Sequence, residues 1–200
     1  MKTPSNYNSN WYLSAETLEP WSWQSIFSQE ECEQIISLGK ELPSETATVV
    51  KSLTTVDTGI RITNVSWIPT DDKHSWIFNR CADAVNHNNN QYFKFDLIQI
   101  ESLQFGAYDS IGSYYGKHRD THTTSGVGGH RKLSFSVQLS DPSTYEGGEL
   151  HLNYMQNPIV AKKEQGVATF FPSYMLHEVT PVTSGIRYSL VGWVLGPRFK

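Results

Sequence analysis

The sequence predicts a mainly β protein with flanking helices, its N-terminal part helical and packed on a C-terminal antiparallel β-domain of the sandwich or barrel kind. Two observations carry this. After Phe93 the chain becomes a series of short apolar-alternating runs separated by turn residues: KFDLIQIESLQFGAY, RKLSFSVQLS, GGELHLNY, VATFFPS, EVTPV and RYSLVGWVL. Serial short strands of this kind bury their apolar faces against one another. Before Phe93, two segments carry apolar residues at helical spacing instead. At 200 residues, 38% hydrophobic and 12% aromatic, the chain can bury a sizeable core. One domain over 1–200 is expected, with 1–94 as helical and strand support and 95–198 as the β core.

The elements follow in order. The first ten residues are polar and rich in Asn and Ser, which reads as a frayed lead-in. FSQEECEQIISLGKEL predicts a helix from about Gln29 to Glu41. Ser28 is its cap, Glu31 completes a capping box, and Cys32, Ile35, Ile36 and Leu38 form the apolar face. Residues Ala47 to Ile68 are rich in Val, Ile and Thr and interrupted by DTG at 57–59, as for two strands joined by a turn. DDKHSWIFNRCADAVNHNNN predicts a second helix, with Asp71 or Asp72 as cap and Trp76, Ile77, Arg80, Cys81, Ala84 and Val85 at helical spacing. Its asparagine cluster reads as the helix terminus and a loop. The tryptophans at 11, 21, 23, 67 and 76 are expected in the core and between helix and sheet.

Bulk properties exclude several partners. The net charge is −4 and no basic run offers the stripe needed for a phosphate backbone, so nucleic acid is not expected. No stretch approaches the apolar length of a membrane span, and no apolar leader opens the chain, so a cytoplasmic protein is expected. Cys32 and Cys81 lack metal or redox spacing and read as buried thiols.

The chemistry gathers around YYGKHRDTH, residues 114–122. His118 and Asp120 stand two apart, so on a strand both project to one face and can converge on a point. Taken alone, His-x-Asp also fits a solvated loop with a surface ion pair to Arg119. The later stretch TFFPSYMLHEVTPVTSGIRYSLVGWVL adds His177 and, ten residues on, Arg187. Two histidines and one carboxylate are the facial ligand set of non-heme Fe(II) sites. Arg187, Ser189, Val191 and Trp193 share a strand face. A buried guanidinium there calls for a carboxylate, and a bound dicarboxylate would serve.

Over Leu97 to about Pro197, and less closely from about residue 25, the chain resembles the 2-oxoglutarate- and Fe(II)-dependent oxygenases, in particular the prolyl 4-hydroxylase-like group with its bacterial PKHD-type hydroxylases. YYGKHRD, RKLSFSVQLSDPSTYEGGEL and FFPSYMLHEVTPVTSGIRYSLVGW carry the likeness. The resemblance implies a double-stranded β-helix, the cupin-like jelly roll. It implies His118, Asp120 and His177 as iron ligands and Arg187 as partner of the distal carboxylate of 2-oxoglutarate. Tyr108 is similar to a tyrosine that bonds the same carboxylate, and Tyr115, Leu150, Ser189 and Trp193 would line the pocket. Gln138 stands where some members have a tyrosine that contacts the co-substrate. Arg61, Gln104 and His122 fall toward the substrate.

The activity implied is hydroxylation of an unactivated C–H bond, with a prolyl residue of a protein or peptide as leading substrate and a small molecule as the other possibility. Dioxygen and 2-oxoglutarate would be consumed, succinate and carbon dioxide released, and ascorbate would act as reductant. A carboxylate at 120, where halogenating members have a small residue, favours hydroxylation. Two readings from other classes stand beside this one: a non-catalytic jelly-roll module with a structural metal, and a zinc hydrolase in which His122 is a further ligand. The glycines at 126, 128 and 129 would permit a closing loop or a plain hairpin connection.

Overall fold

The computed structural model describes residues 20–47, 49–52, 55–57, 61–121, 129–153 and 156–198. His122, Trp11 and the glycines at 126 and 128 lie outside the described residues. After the edge strand β1 (Ser22–Ser25) comes α1 (Gln29–Glu41), with the bounds and cap the sequence predicts. Ser28 Oγ accepts from the Glu31 amide (3.2 Å) and Glu31 Oε2 accepts from the Ser28 amide (2.8 Å). Two of the helix's orphan N-terminal donors are thereby satisfied reciprocally.

The Val/Ile/Thr-rich stretch is more divided than two strands. It forms β2 (Glu45–Thr46), β3 (Val49–Ser52), β4 (Thr55–Asp57), β5 (Arg61–Ile62) and β6 (Asn64–Trp67). Ser52 pairs with Thr55, and Asp57, the first residue of DTG, ends β4 opposite Val49; Thr58 and Gly59 lie outside the described residues. The chain then hands over between sheets at Thr63: β5 pairs with one sheet and β6 with the other.

Helix α2 (Ser75–Asn88) corrects two expectations. Its N-cap is His74, and Asp71 sits a turn earlier, accepting from the His74 amide (3.0 Å) and from its Nδ1 (2.7 Å). The asparagine cluster is helical, continuing into a π-helical turn, Asn89–Phe93, that ends at Lys94 in the left-handed region. Asn88 is buried because it has partners: its Oδ1 accepts from Ser22 Oγ (2.7 Å), and its Nδ2 donates to Gln24 Oε1 (2.7 Å) and to the Ala84 carbonyl (2.8 Å). Those contacts pin the end of α2 to β1.

The remaining strands are β7 (Gln99–Tyr108), β8 (Tyr114–His118), β9 (His130–Gln138), β10 (Tyr145–Gly147), β11 (Leu150–Leu152), β12 (Ile159–Val160), β13 (Val167–Pro172), β14 (His177–Val179), β15 (Val182–Gly185) and β16 (Arg187–Gly196). With β1, β2, β5 and β6 they form a seven-stranded sheet in the order β1-β13-β9-β16-β7-β6-β2 and a five-stranded sheet in the order β12-β11-β14-β8-β5, while β10 and β15 pair with each other. Strand periodicity sorts the side chains. Leu103, Phe105, Leu133, Phe135, Val137, Leu190 and Val194 pack on the helices with Ile35, Cys32, Ile77 and Cys81. The alternate residues turn inward toward the smaller sheet.

Two tryptophans depart from the expected core positions: Trp23 and Trp67 are 39% and 44% exposed, both standing near sheet edges. Trp21 is buried, and Trp76 packs edge-on to Phe27. Cys32 and Cys81 are free, buried thiols; burial pushes both up, Cys32 to about 12. Among the described residues no helix is long and apolar enough to cross a membrane.

Candidate metal and co-substrate site

Strand pairing assembles the metal-capable cluster. His118 at the end of β8 lies directly opposite His177 at the start of β14, and Asp120 follows two residues beyond His118. One ligand atom from each of the three falls within 4.8 Å of the others. Both histidines offer the same nitrogen. His118 Nδ1 is 2.8 Å from the Gly116 carbonyl and His177 Nδ1 is 2.9 Å from the Met175 carbonyl. A carbonyl only accepts, so each Nδ1 carries the proton and each Nε2 lone pair faces the carboxylate, 3.5 Å from Asp120 Oδ1 and Oδ2 respectively.

Asp120 is held as firmly. Its amide donates to the Ser173 carbonyl (2.9 Å), and Oδ2 accepts from Ser134 Oγ (2.7 Å), which also contacts Ser173 Oγ (2.9 Å). Burial acts to raise this carboxyl, but His177, His118 and the Ser134 hydroxyl together hold it well below the usual carboxylate range. Burial pushes the His177 imidazole down, against the pull of Asp120, so the neutral, ligating form is favoured.

The cluster lines a cavity between the sheets. Arg61, Gln104, Tyr108, Tyr115, Leu150, Ser189, Arg187 and Trp193, all singled out from the sequence, line it together with His118, Asp120 and His177. Arg187 is fully buried. Its Nε donates to Gln138 Oε1 (3.1 Å), and its guanidinium stands 4.8 Å over the Tyr108 ring. Nη1 and Nη2 have no hydrogen-bond partner among the described residues. Gln138 thus serves Arg187 and is not itself part of the cavity wall.

Arg61 donates to Thr63 Oγ1 (2.6 Å) and Gln104 Oε1 (3.0 Å) and covers the Tyr115 ring at 4.4 Å. Tyr115 in turn stacks on His118. Burial pushes its phenol up to about 12.

Several residues in or around the wall were given no role from the motifs. Phe171 packs against His177 (4.6 Å between centroids), and Ser134 bonds Asp120. Strand parity within VATFFP and LSFSVQLS was the available signal for both. Arg131 lies 3.9 Å over the Trp193 ring while pairing with Glu101, and Trp67 stands 6.3 Å from Trp193. These contacts join β6, β7, β9 and β16, and no local pattern announces them.

Two facing antiparallel sheets that enclose a His-Asp-His cluster and a buried arginine define a double-stranded β-helix protein with a metal-capable centre. Residues 103–195 match the family model of the 2OG-Fe(II) oxygenase superfamily. A PKHD-type hydroxylase of Prochlorococcus marinus is 45% identical over 85 residues, 42% of this chain and 38% of that protein. Another, from Idiomarina loihiensis, is 40% identical over 96 residues, 48% of this chain and 43% of that protein. The chain therefore spans about two fifths of the length of the curated relatives it matches. Among solved structures, a prolyl-4-hydroxylase of Pseudomonas putida superposes with a TM-score of 0.64 at 21% identity, covering 90% of this chain and 94% of the other. A viral collagen prolyl hydroxylase from Paramecium Bursaria Chlorella virus-1 does so at 0.65 and 19%, covering 89% and 97%. At these identities the superpositions show a shared fold.

Proposed function

We propose that the protein is a 2-oxoglutarate- and Fe(II)-dependent dioxygenase that hydroxylates an unactivated C–H bond, a prolyl residue of a protein or peptide being the substrate. The observation that carries this is Arg187: a fully buried cation with two nitrogens that have no hydrogen-bond partner among the described residues, in the cavity that also holds the His-Asp-His cluster. A buried, unpaired guanidinium is costly, and a carboxylate held end-on by Nη1 and Nη2 removes that cost. The donor set fits a divalent iron, since two neutral imidazoles and one ionised carboxylate leave further positions open.

His118 and His177 would bind the metal through Nε2, and Asp120 through one carboxylate oxygen. With Fe(II) and 2-oxoglutarate bound, the site would supply dioxygen activation, one oxygen atom going to succinate after loss of carbon dioxide and the other to the substrate C–H bond. Ser134 keeps Asp120 in place during this. Leu150, Phe171 and Val179 keep water from the reacting centre, Tyr108 and Ser189 flank Arg187, and Tyr115 fixes the ring plane of His118. Arg61, Gln104, Trp193 and Trp67 offer the substrate a guanidinium, an amide and two indoles, a set suited to a pyrrolidine ring and the peptide carbonyls beside it. The names of the relatives support the hydroxylase reading, and the fold neighbours support the prolyl one. Ascorbate would keep the metal reduced between turnovers.

The test is succinate release from 2-oxoglutarate by protein loaded anaerobically with Fe(II) and then exposed to air, with Arg187→Ala and His177→Ala alongside. Wild type should make succinate, slowly without substrate and faster with a proline-containing peptide. His177→Ala should make none. Arg187→Ala should need 2-oxoglutarate raised on the order of a hundredfold, as for loss of a buried charge-assisted pair. Equal succinate from all three would overturn the assignment.

A further inference from the structure

The cavity end at Arg187 holds more donor capacity than the protein itself satisfies. Arg187 commits Nε to Gln138, whose amide oxygen is there an acceptor, and leaves Nη1 and Nη2 unpartnered among the described residues. A third buried donor, like Gln138 outside the cavity's lining, stands beside Arg187. Tyr145, the first residue of β10, is 4% exposed, and its hydroxyl has no hydrogen-bond partner among the described residues. The two side chains meet over the glycine turn of EGGEL: a Cβ at Gly148, where φ is +57°, would lie 2.8 Å from Arg187 Cδ and 3.6 Å from Tyr145 Cε2. Only glycine leaves that space free.

Lys163 stands over the Tyr145 ring, its Nζ 4.7 Å from the centroid and donating to the Gly147 carbonyl (3.4 Å). Burial pushes the hydroxyl above the usual phenol range, against the pull of Arg187, so the group remains protonated and able to donate. The guanidinium and the phenol interact with each other, yet among the described residues Nη1, Nη2 and the phenol hydroxyl have no carbonyl or carboxylate to donate to. A carboxylate, with two oxygens and about four lone-pair directions, is the acceptor that can satisfy all three at once.

We infer that Tyr145 is a co-substrate-binding residue whose hydroxyl donates to the distal carboxylate of 2-oxoglutarate alongside Arg187. This rests on the oxygenase reading and assigns one of its contacts to a residue outside both metal motifs. The consequence is selectivity: the three donors favour a dicarboxylate over a 2-oxo acid that lacks the distal group.

The experiment is calorimetric titration of the full chain with Mn(II) in place of iron, without oxygen, using 2-oxoglutarate and, separately, pyruvate. Tyr145→Phe should bind 2-oxoglutarate about tenfold more weakly, the scale of a hydrogen bond to a charged group, and pyruvate as wild type does. Arg187→Ala should lose more on the first ligand and nothing on the second. If Tyr145→Phe matches wild type on 2-oxoglutarate while Arg187→Ala does not, or if it weakens both ligands equally, the role of Tyr145 is overturned and the oxygenase reading stands. If Arg187→Ala also matches wild type, the oxygenase reading falls and takes this inference with it. Should Tyr145→Phe fail to fold, Tyr145→fluorotyrosine keeps the hydroxyl. Its fluorine resonance should then move with 2-oxoglutarate and stay with pyruvate; movement with both or neither overturns the inference.

Discussion

Asp120 shows how the fold fixes a single buried carboxylate. It is the one carboxylate of the cluster, and its second oxygen is already committed to Ser134. Partners one step removed from a metal typically change affinity by about 10–100-fold when lost. Ser134→Ala should accordingly weaken Fe(II) or Mn(II) binding on that order while moving the melting temperature little, because a serine hydroxyl is small and Ser173 remains nearby. Metal titration followed by fluorescence or calorimetry reads the first, and a thermal melt the second. At this scale the sequence singled out His118, Asp120, His177 and Arg187, which the fold brings to one cavity, since their convergence depends on strand parity. It was silent on Ser134, because a serine in an apolar-alternating strand looks the same whether it lines a wall or holds a carboxylate.

Among the elements, α1 and α2 differ in how far local chemistry determines them. Ser28 and Glu31 close a capping box that three residues suffice to reveal, and the helix begins where they say. The end of α2 depends instead on Ser22 and Gln24, more than sixty residues away, which turn an asparagine-rich tail into a buried anchor. Asn88→Ala would leave Ser22, Gln24 and the Ala84 carbonyl without these partners. The loss should be on the order of 2–3 kcal/mol, within the cost of stranding buried polar groups, and visible in urea denaturation. Asn88→Asp should do no better, since a carboxylate cannot replace the two donated bonds. The strands were legible as strands because alternation survives in RKLSFSVQLS and RYSLVGWVL. The split of the Val/Ile/Thr-rich stretch between two sheets was not, because pairing partners are chosen by the whole fold.

Across the whole molecule, the helices and the larger sheet share a core that holds both thiols. Cys32 is raised to about 12 and Cys81 is raised further, both through burial, while thiols in an unfolded chain titrate near about 8.5. Above that value the unfolded chain releases protons that the folded one retains, so stability should be full below about pH 8.5 and fall steadily toward pH 12. Tyr115, also raised to about 12 by burial, adds to the same decline from about pH 10 upward. Chemical denaturation across that range checks it, and Cys32→Ser with Cys81→Ala should flatten the slope. The general plan, helices on an antiparallel sandwich, was legible because it follows from periodicity. The approach of Trp67 and Arg131 to Trp193 was not, since it joins three strands remote in sequence.

The hand-over at Thr63 has a genetic corollary. Arg61 and Trp67 flank a segment that leaves one sheet and joins the other within a single residue, and side chains on a strand alternate faces with a period of two. Adding or deleting one codon between 61 and 64 while β6 keeps its register would therefore turn Arg61 outward and Ile62 inward. The spacing itself is a constraint there, as binding as the identity of either residue.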